Sequence, residues 1–219
     1  MSLKIPADQC MSIIGLDLGG LETRPTGFCL LSGLKAKTTM LYTNDEILRK
    51  TEENKPRVIA IDAPLSLPPG RTSLDDRRGD HLRESERDLL KHGIKLFPVT
   101  LGPMKKLAKR GIYIRGIFES KLYTVVEAYP GGAQDILRIP RKKYGTDKLK
   151  AGLEQLGIDG LKDGLSDHEL DAVTCAFVGK LFLEGKSITC GGPRQGIVMP
   201  KGEKALSNQI KRKRICSQK

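Results

Sequence analysis

The stretch MSIIGLDLGG at residues 11–20 is apolar until it ends in glycines, and LETRPTG (21–27) follows it as a turn. The chain then returns through GFCLLSG (27–33), which is again mostly apolar. Two apolar runs joined by a Gly- and Pro-containing turn predict a β-hairpin. KAKTTMLYT (35–43) follows as a third strand candidate. The chain is therefore predicted to begin with an antiparallel meander of three strands.

Two further strands are predicted after the meander, separated by helical segments. NDEILRKTEENK (44–55) has an Asn or Asp cap and acids in its first turn, which favours a helix. RVIAIDAPLSLPPG (57–70) is apolar until proline stops it, as is typical of a strand buried on both faces. Helical patterns over 73–92 and 102–116 then lead to a similar strand, KLYTVVEAYPG (121–131).

A long helix, SDHELDAVTCAFVGKLFLEGK (166–186), and a small hairpin, SITCGGPRQGIVMP (187–200), close the predicted fold. The order of elements matches an RNase H-like layout, in which helical crossovers extend an antiparallel meander with further strands. We therefore predict an α/β, RNase H-like fold. Its mixed five-stranded central sheet, an antiparallel meander plus parallel strands, is flanked by helices and carries a helical insertion and the C-terminal hairpin. The predicted domain is 1–200, and 201–219 is a basic tail.

The charge of the chain makes an anionic partner a reasonable expectation. The net charge is +12 over 219 residues, and seven Lys or Arg against one acid in the tail supply half of that excess. Most other clustered cations lie in 105–115 and 138–150. Such patches suit a nucleic acid, whereas the tail by itself is also typical of a solvated chain end.

Cysteine use and hydropathy point to a reducing cytoplasm. The five cysteines are scattered and form no CxxC pair, which argues against a disulfide framework or a structural zinc site. The first ten residues lack the apolar run of a signal peptide, and no apolar stretch reaches the roughly 20 residues needed to cross a bilayer. We expect no membrane association.

The long helix carries two aspartates, Asp167 and Asp171, on its apolar face. Ser166 and Glu169 have the spacing of a capping box, so Asp167 alone is explained as a first-turn acid. Asp171 needs another explanation, because a carboxylate facing a core costs several kcal/mol unless a cation or donors meet it. An arginine or a divalent metal shared with other acids would supply that cation.

Three more acids stand at the ends of predicted core strands: Asp17 in IIGLDLGG, Asp62 in IAIDAP and Glu127 in VVEAYP. Acids are poor strand formers, and ligand crevices of α/β sheets lie at the carboxyl ends of the strands. Clustered carboxylates suit Mg²⁺ or Mn²⁺, which take hard oxygen ligands. Two such ions about 4 Å apart can support phosphodiester hydrolysis.

The motifs GLDLGG, IDAPLSLP, RESERDLLKHGIKLFP, EAYPG, SDHELDA and QGIVMP occur in this order over about residues 12–200. Together they resemble a family of uncharacterised proteins predicted to be RNase H-like nucleases, distantly similar to the Holliday-junction resolvase RuvC. The resemblance implies a metal-dependent nuclease with Asp17, Asp62, Asp167 and Asp171 as ligands. It adds Glu127 as a further ligand or as a group that orients one.

The resemblance also implies groups around the metal. His168 would shuttle a proton or orient a ligand, although a lone His at a helix start is often merely exposed. Arg83 and Arg87 match an Arg-and-acid helix and would grip phosphate, unless they belong to a solvated, salt-bridged helix. The basic segments supply the other expected phosphate contacts: Lys105, Lys106, Arg141, Lys142 and Lys143.

The function expected from the sequence is a nuclease that uses Mg²⁺ or Mn²⁺ to hydrolyse DNA or RNA. A non-catalytic nucleic-acid-binding protein of the same fold is an alternative, with salt-sensitive affinity and no turnover. A phosphotransferase of the actin-like fold is a third reading, because a D-x-G-G strand also opens that fold. It would need a second lobe, for which IDGLKDG (158–164) is a poor candidate.

Overall fold

The computed structural model describes residues 12–192 and 195–202. Apart from its first two residues, the basic tail predicted at 201–219 lies outside the described residues. None of the helices within those two ranges combines the length and the apolar character of a bilayer-spanning helix.

The described strands are β1 Ser12–Asp17, β2 Thr26–Ser32, β3 Lys35–Leu41, β4 Val58–Asp62, β5 Val125–Ala128, β6 Ser187–Cys190 and β7 Ile197–Pro200. They form one sheet with the order β3-β2-β1-β4-β5-β7-β6. Antiparallel pairs join β1 to β2 and β2 to β3, and parallel pairs join β1 to β4 and β4 to β5. The predicted meander and its parallel extension are confirmed.

Between Ser12 and Pro200 the described residues give the sheet seven strands, and the prediction of five was wrong. The C-terminal hairpin was predicted as a separate element, but β7 pairs in parallel with β5 and carries β6 to the edge. Four apolar residues, Ile197–Pro200, are too short a run to show from sequence whether they pair only with β6 or also with the main sheet.

In the part of the chain that the structure describes, six α-helices surround the sheet: α1 Asn44–Asn54, α2 Glu84–Lys91, α3 Gly102–Ser120, α4 Pro130–Leu137, α5 Thr146–Gln155 and α6 Asp167–Leu183. The helical pattern predicted over 73–92 becomes a helix only from Glu84. Before it, Arg71 donates to the backbone carbonyls of Asp76 and Asp80 and holds the chain in a loop. Pro130 occupies the first turn of α4, where its missing N–H costs nothing.

The predicted capping box at the start of α6 is confirmed. The Ser166 hydroxyl accepts from the Glu169 N–H at 3.2 Å, and a Glu169 carboxylate oxygen accepts from the Ser166 N–H at 3.0 Å. The second Glu169 oxygen accepts from the Thr38 hydroxyl of β3 at 2.9 Å. The cap therefore also fixes the start of α6 to the edge of the meander.

Helix α6 covers one face of the sheet and touches its backbone. A Cβ placed on Gly15 of β1 would lie 2.0 Å from the carbonyl oxygen of Ala172, and one on Gly27 of β2 would lie 2.0 Å from that of His168. The other face packs against α3 through Ile114 and Phe118. Only glycine permits so close an approach, so these two positions set the height of α6 above the sheet.

Gly15→Ala is expected to destabilise the protein by about 1–3 kcal/mol or more, the range of an overpacked core. The reason is that the added methyl group meets helix backbone, which cannot rotate away. Gly116→Ala is the matched control, because Gly116 lies exposed in α3 with no atom near its Cβ position. It should gain up to about 1 kcal/mol of helix propensity. Urea unfolding would measure both, and equal stability of the two variants would contradict the packing described here.

Candidate functional site

Asp17 and Asp62 end two neighbouring parallel strands in the same register. Asp17 is the last residue of β1 and pairs with Asp62, the last residue of β4. Residues paired in this way point to the same face of a sheet, and adjacent strands lie about 4.8 Å apart. Because α6 covers that face, the structure brings both carboxylates to the start of α6, as the sequence predicted.

The two aspartates of α6 differ in exposure. The Asp171 side chain is 6% exposed, whereas that of Asp167 is 44% exposed. One Asp171 oxygen, Oδ1, accepts from the side-chain amide of Gln134 in α4 at 2.7 Å. The same amide nitrogen is 3.1 Å from the Thr174 hydroxyl, one turn along α6. Gln134 therefore fixes the orientation of the Asp171 carboxylate.

Sequence reasoning missed Gln134. It lies in PGGAQDIL, where no local pattern separates a buried amide from an exposed one. Gln134 is 1% exposed only because α4 packs against α6. The one available signal that Gln134 is buried was its place in a helical segment next to the small residues Gly132 and Ala133.

The carboxylates repel one another. Burial raises the pKa of Asp62 well above its usual range, and the charges of Asp17 and Asp171 raise it further. Burial also raises the pKa of Asp171, with the charge of Asp17 adding to it and Lys142 opposing it. These mutual effects show that acids from β1, β4 and α6 share one small region with an excess of negative charge.

A lysine occupies that region. Lys142, in the 3₁₀ turn Lys142–Tyr144, places its Nζ 2.9 Å from Asp171 Oδ2 and 3.2 Å from Asp167 Oδ2. Partial burial lowers the pKa of Lys142, but the charges of Asp171, Asp17 and Asp167 outweigh it and raise the pKa above its usual value. Lys142 therefore serves as the cation that a carboxylate on the core face of α6 needs. The sequence predicted it as a contact to phosphate.

His168 contacts the opposite side of the cluster. Its Nδ1 lies 2.6 Å from Asp17 Oδ2, and its side chain is 37% exposed. The hydrogen bond to Asp17 raises the pKa of His168, while partial burial opposes that shift. The predicted position of His168 beside the acids is therefore found, at Asp17 on β1.

As they stand, no three His, Cys, Asp or Glu side chains of residues 12–192 and 195–202 form a group that could hold a metal ion. Lys142 binds Asp171 Oδ2, and His168 binds Asp17 Oδ2. The chemistry of the donors nonetheless fits Mg²⁺ or Mn²⁺, because Asp17, Asp62 and Asp171 offer only hard oxygens.

Glu127 lies on the other face of the sheet from Asp62. It pairs with Ile61, so its side chain shares the face of Ile61 and points away from α6. Arg83 binds both carboxylate oxygens at 2.6 and 2.7 Å, and the Leu65 N–H donates to one of them at 2.8 Å. Glu127 thus points to the other face of the sheet, but it stays near the cluster, because its charge adds to the effects that raise the pKa of Asp62.

The same ion pair accounts for Arg83. It is 2% exposed, and its Nε also lies 3.3 Å from Glu86 Oε1. The guanidinium is therefore engaged by two acids inside the protein, and its predicted contact to phosphate stays a prediction. Arg87, one turn along α2, is 40% exposed and pairs with Asp80 at 2.7 Å.

The remaining predicted phosphate contacts lie at or near the surface. Lys106 and Lys143 are exposed, and Lys143 stands 4.8 Å from the ring centre of Tyr144. Lys105 is 3.6 Å from Asp75, and Arg141 pairs with Asp135. Nothing in these contacts withdraws the four side chains from a partner at the surface.

The pKa of His168 is expected to fall in Asp17→Asn, because the neutral amide no longer favours the imidazolium form. In the wild type, the raised pKa of His168 stabilises the fold at acid pH. That contribution is lost as pH rises through the pKa of His168 in the folded state. An NMR titration of the imidazole in metal-free protein would measure the change. The control is Asp45→Asn, which removes an exposed acid from α1 and should leave the titration unchanged. An unaltered titration in Asp17→Asn would contradict the pair.

Comparison with known proteins gives matches among solved structures alone. No protein-family model matches the sequence, and no curated protein matches it significantly. T. thermophilus RuvC in complex with a Holliday junction substrate aligns with a TM-score of 0.49 and 12% identity, over 80% of this chain and 96% of that chain. Another Thermus thermophilus RuvC structure aligns with a TM-score of 0.47 and 14% identity, over 80% and 97%. The strand order and the carboxylate cluster are observations on this chain and stand apart from that likeness.

Proposed function

We propose that the protein is a divalent-metal-dependent nuclease that hydrolyses phosphodiester bonds of DNA or RNA. The observation that carries the proposal is the meeting of Asp17, Asp62 and Asp171 at one end of the sheet. Three elements distant in sequence bring these acids together, at a cost in desolvation and repulsion that a structural role does not require. Carboxylates with raised pKa values, here Asp62 and Asp171, are typical of functional sites.

Asp17, Asp62 and Asp171 would hold Mg²⁺ or Mn²⁺, with the more exposed Asp167 at the rim. When bound, the metal would supply activation of water and stabilisation of the leaving oxygen. Gln134 keeps Asp171 pointed into the site. His168, hydrogen-bonded to Asp17 and partly open to solvent, would exchange a proton with water or with a leaving group. We leave Glu127 out of the metal set.

Nucleic acid is the proposed partner because of charge. The net charge of +12 favours binding of a polyanion, and Lys106 and Lys143 are exposed cations on the described surface. With 5% aromatic residues and no tryptophan, contacts to the phosphate backbone would dominate over base stacking. The cytoplasmic location stays a prediction from the sequence.

The second candidate is a nucleic-acid-binding protein without turnover. It is favoured by one observation, the ion pairs of Lys142 with Asp167 and Asp171, which already neutralise part of the cluster. The phosphotransferase reading is weakened, because all strands within the described ranges belong to one sheet and leave no β-rich second lobe there.

Cleavage of labelled single-stranded, duplex, hybrid and branched substrates with Mn²⁺ would test the proposal. Asp17→Asn is expected to lose at least about a hundredfold in rate, because a metal ligand supports several kcal/mol of transition-state stabilisation. Asp45→Asn should cleave like the wild type, and a chelator should abolish cleavage. Equal products from the wild type and Asp17→Asn would mean a contaminating enzyme. Salt-sensitive binding by both proteins without products would favour the second candidate.

A further inference from the structure

Of the two carboxylate oxygens of Asp171, Oδ2 is the one that faces the other acids. The other oxygen, Oδ1, is held by Gln134 in the interior. Lys142 Nζ binds that oxygen at 2.9 Å and reaches across to Asp167 at 3.2 Å. A metal ion bound by Asp171 would therefore need the oxygen that Lys142 now holds.

An ammonium and a divalent cation would compete for this oxygen. Both carry positive charge. If both were bound to the same carboxylate, they would lie a few ångströms apart, and their repulsion would be strong in a partly buried site. Lysine also offers only donors, so it cannot itself bind a metal while charged. Occupation by one cation therefore opposes occupation by the other.

Lys142 is placed so that it can leave. Its side chain is 44% exposed, and it belongs to a three-residue turn whose members are all exposed. Gly145 follows with φ of 115° and no atom near its Cβ position, while Arg141 on the other side is tied to Asp135. Rotation of the flexible lysine stem into solvent would thus disturb no core contact.

We propose that Lys142 is an internal counter-ion, which holds the carboxylate cluster together in the metal-free protein and is displaced when a divalent metal binds. The inference rests on the metal site of the proposed function. It predicts that removing the ammonium weakens the metal-free fold and strengthens metal binding, since the two cations are linked reciprocally.

The test is a calorimetric titration of Mn²⁺ into Lys142→Gln, with no nucleic acid present. Mn²⁺ should bind about tenfold more tightly than to the wild type, within the usual range for linked sites. Lys143→Gln is the matched control: it removes the same charge from the next residue, whose amine stands over Tyr144, and should change the affinity less than about twofold. Thermal unfolding should show Lys142→Gln less stable than the wild type without metal, and the difference should shrink at saturating Mn²⁺.

The outcomes separate this inference from the proposed function. Mn²⁺ binding to Lys142→Gln that is equal to or weaker than binding to the wild type would overturn the counter-ion role and leave the metal site standing. Absence of Mn²⁺ binding in both proteins, or binding that survives Asp171→Asn, would overturn the metal site and the inference with it. Tighter binding by Lys142→Gln together with no cleavage of any substrate would support the counter-ion and count against the nuclease.

A measurement on the wild type covers the case in which Lys142→Gln does not fold. With ¹⁵N-labelled lysine, the ammonium signal of Lys142 should be visible in metal-free protein, because its ion pairs slow proton exchange. It should shift or disappear as Mg²⁺ is added, while the signal of Lys109, paired with exposed Asp75, should stay. A Lys142 signal that is unchanged at saturating Mg²⁺ would overturn the inference.

Discussion

The contact of α6 with the bare backbone of β1 and β2 is the constraint on which the site depends. Gly15 and Gly27 let the helix lie so low that Asp171 and His168 come level with Asp17. A side chain at either glycine would lift the first turns of α6 and open the cluster. The two glycines therefore contribute to the chemistry of the site although neither bears a functional group.

Two buried acids on opposite faces of the sheet meet different cations. Glu127, on the face away from α6, is bound at both oxygens by Arg83, whose planar guanidinium forms a fixed fork deep in the protein. Asp171, on the α6 face, is met by the flexible and half-exposed Lys142. Arginine suits a permanent ion pair, whereas lysine holds its charge on a mobile stem and is easily exchanged. The first pair is fixed in the interior, and the second is the pair that we propose a metal ion displaces.

Local order in the chain was enough to predict much of the molecule. Alternating apolar runs and turn residues gave the meander, and the apolar strands ending at Asp62 and Glu127 gave the parallel extension, because these signals depend on neighbours in sequence. The capping box of α6 is likewise local, since Ser166 and Glu169 lie within one turn. Placing Asp17 and Asp62 at one edge followed from the shared direction of parallel strands.

Partners across the sheet could not be obtained in that way. Whether Glu127 points to the same face of the sheet as Asp62 depends on the register of β5 against β4. A shift of one residue would change that face, and packing decides the register. The burial of Arg83, the approach of Gln134 to Asp171 and the entry of Lys142 among the acids likewise join residues far apart in the chain. The sequence by itself determined which elements form and where the acids stand along them. Only the tertiary structure decided which face each acid occupies and which cation meets it, because charge pairing acts through space and leaves no local pattern.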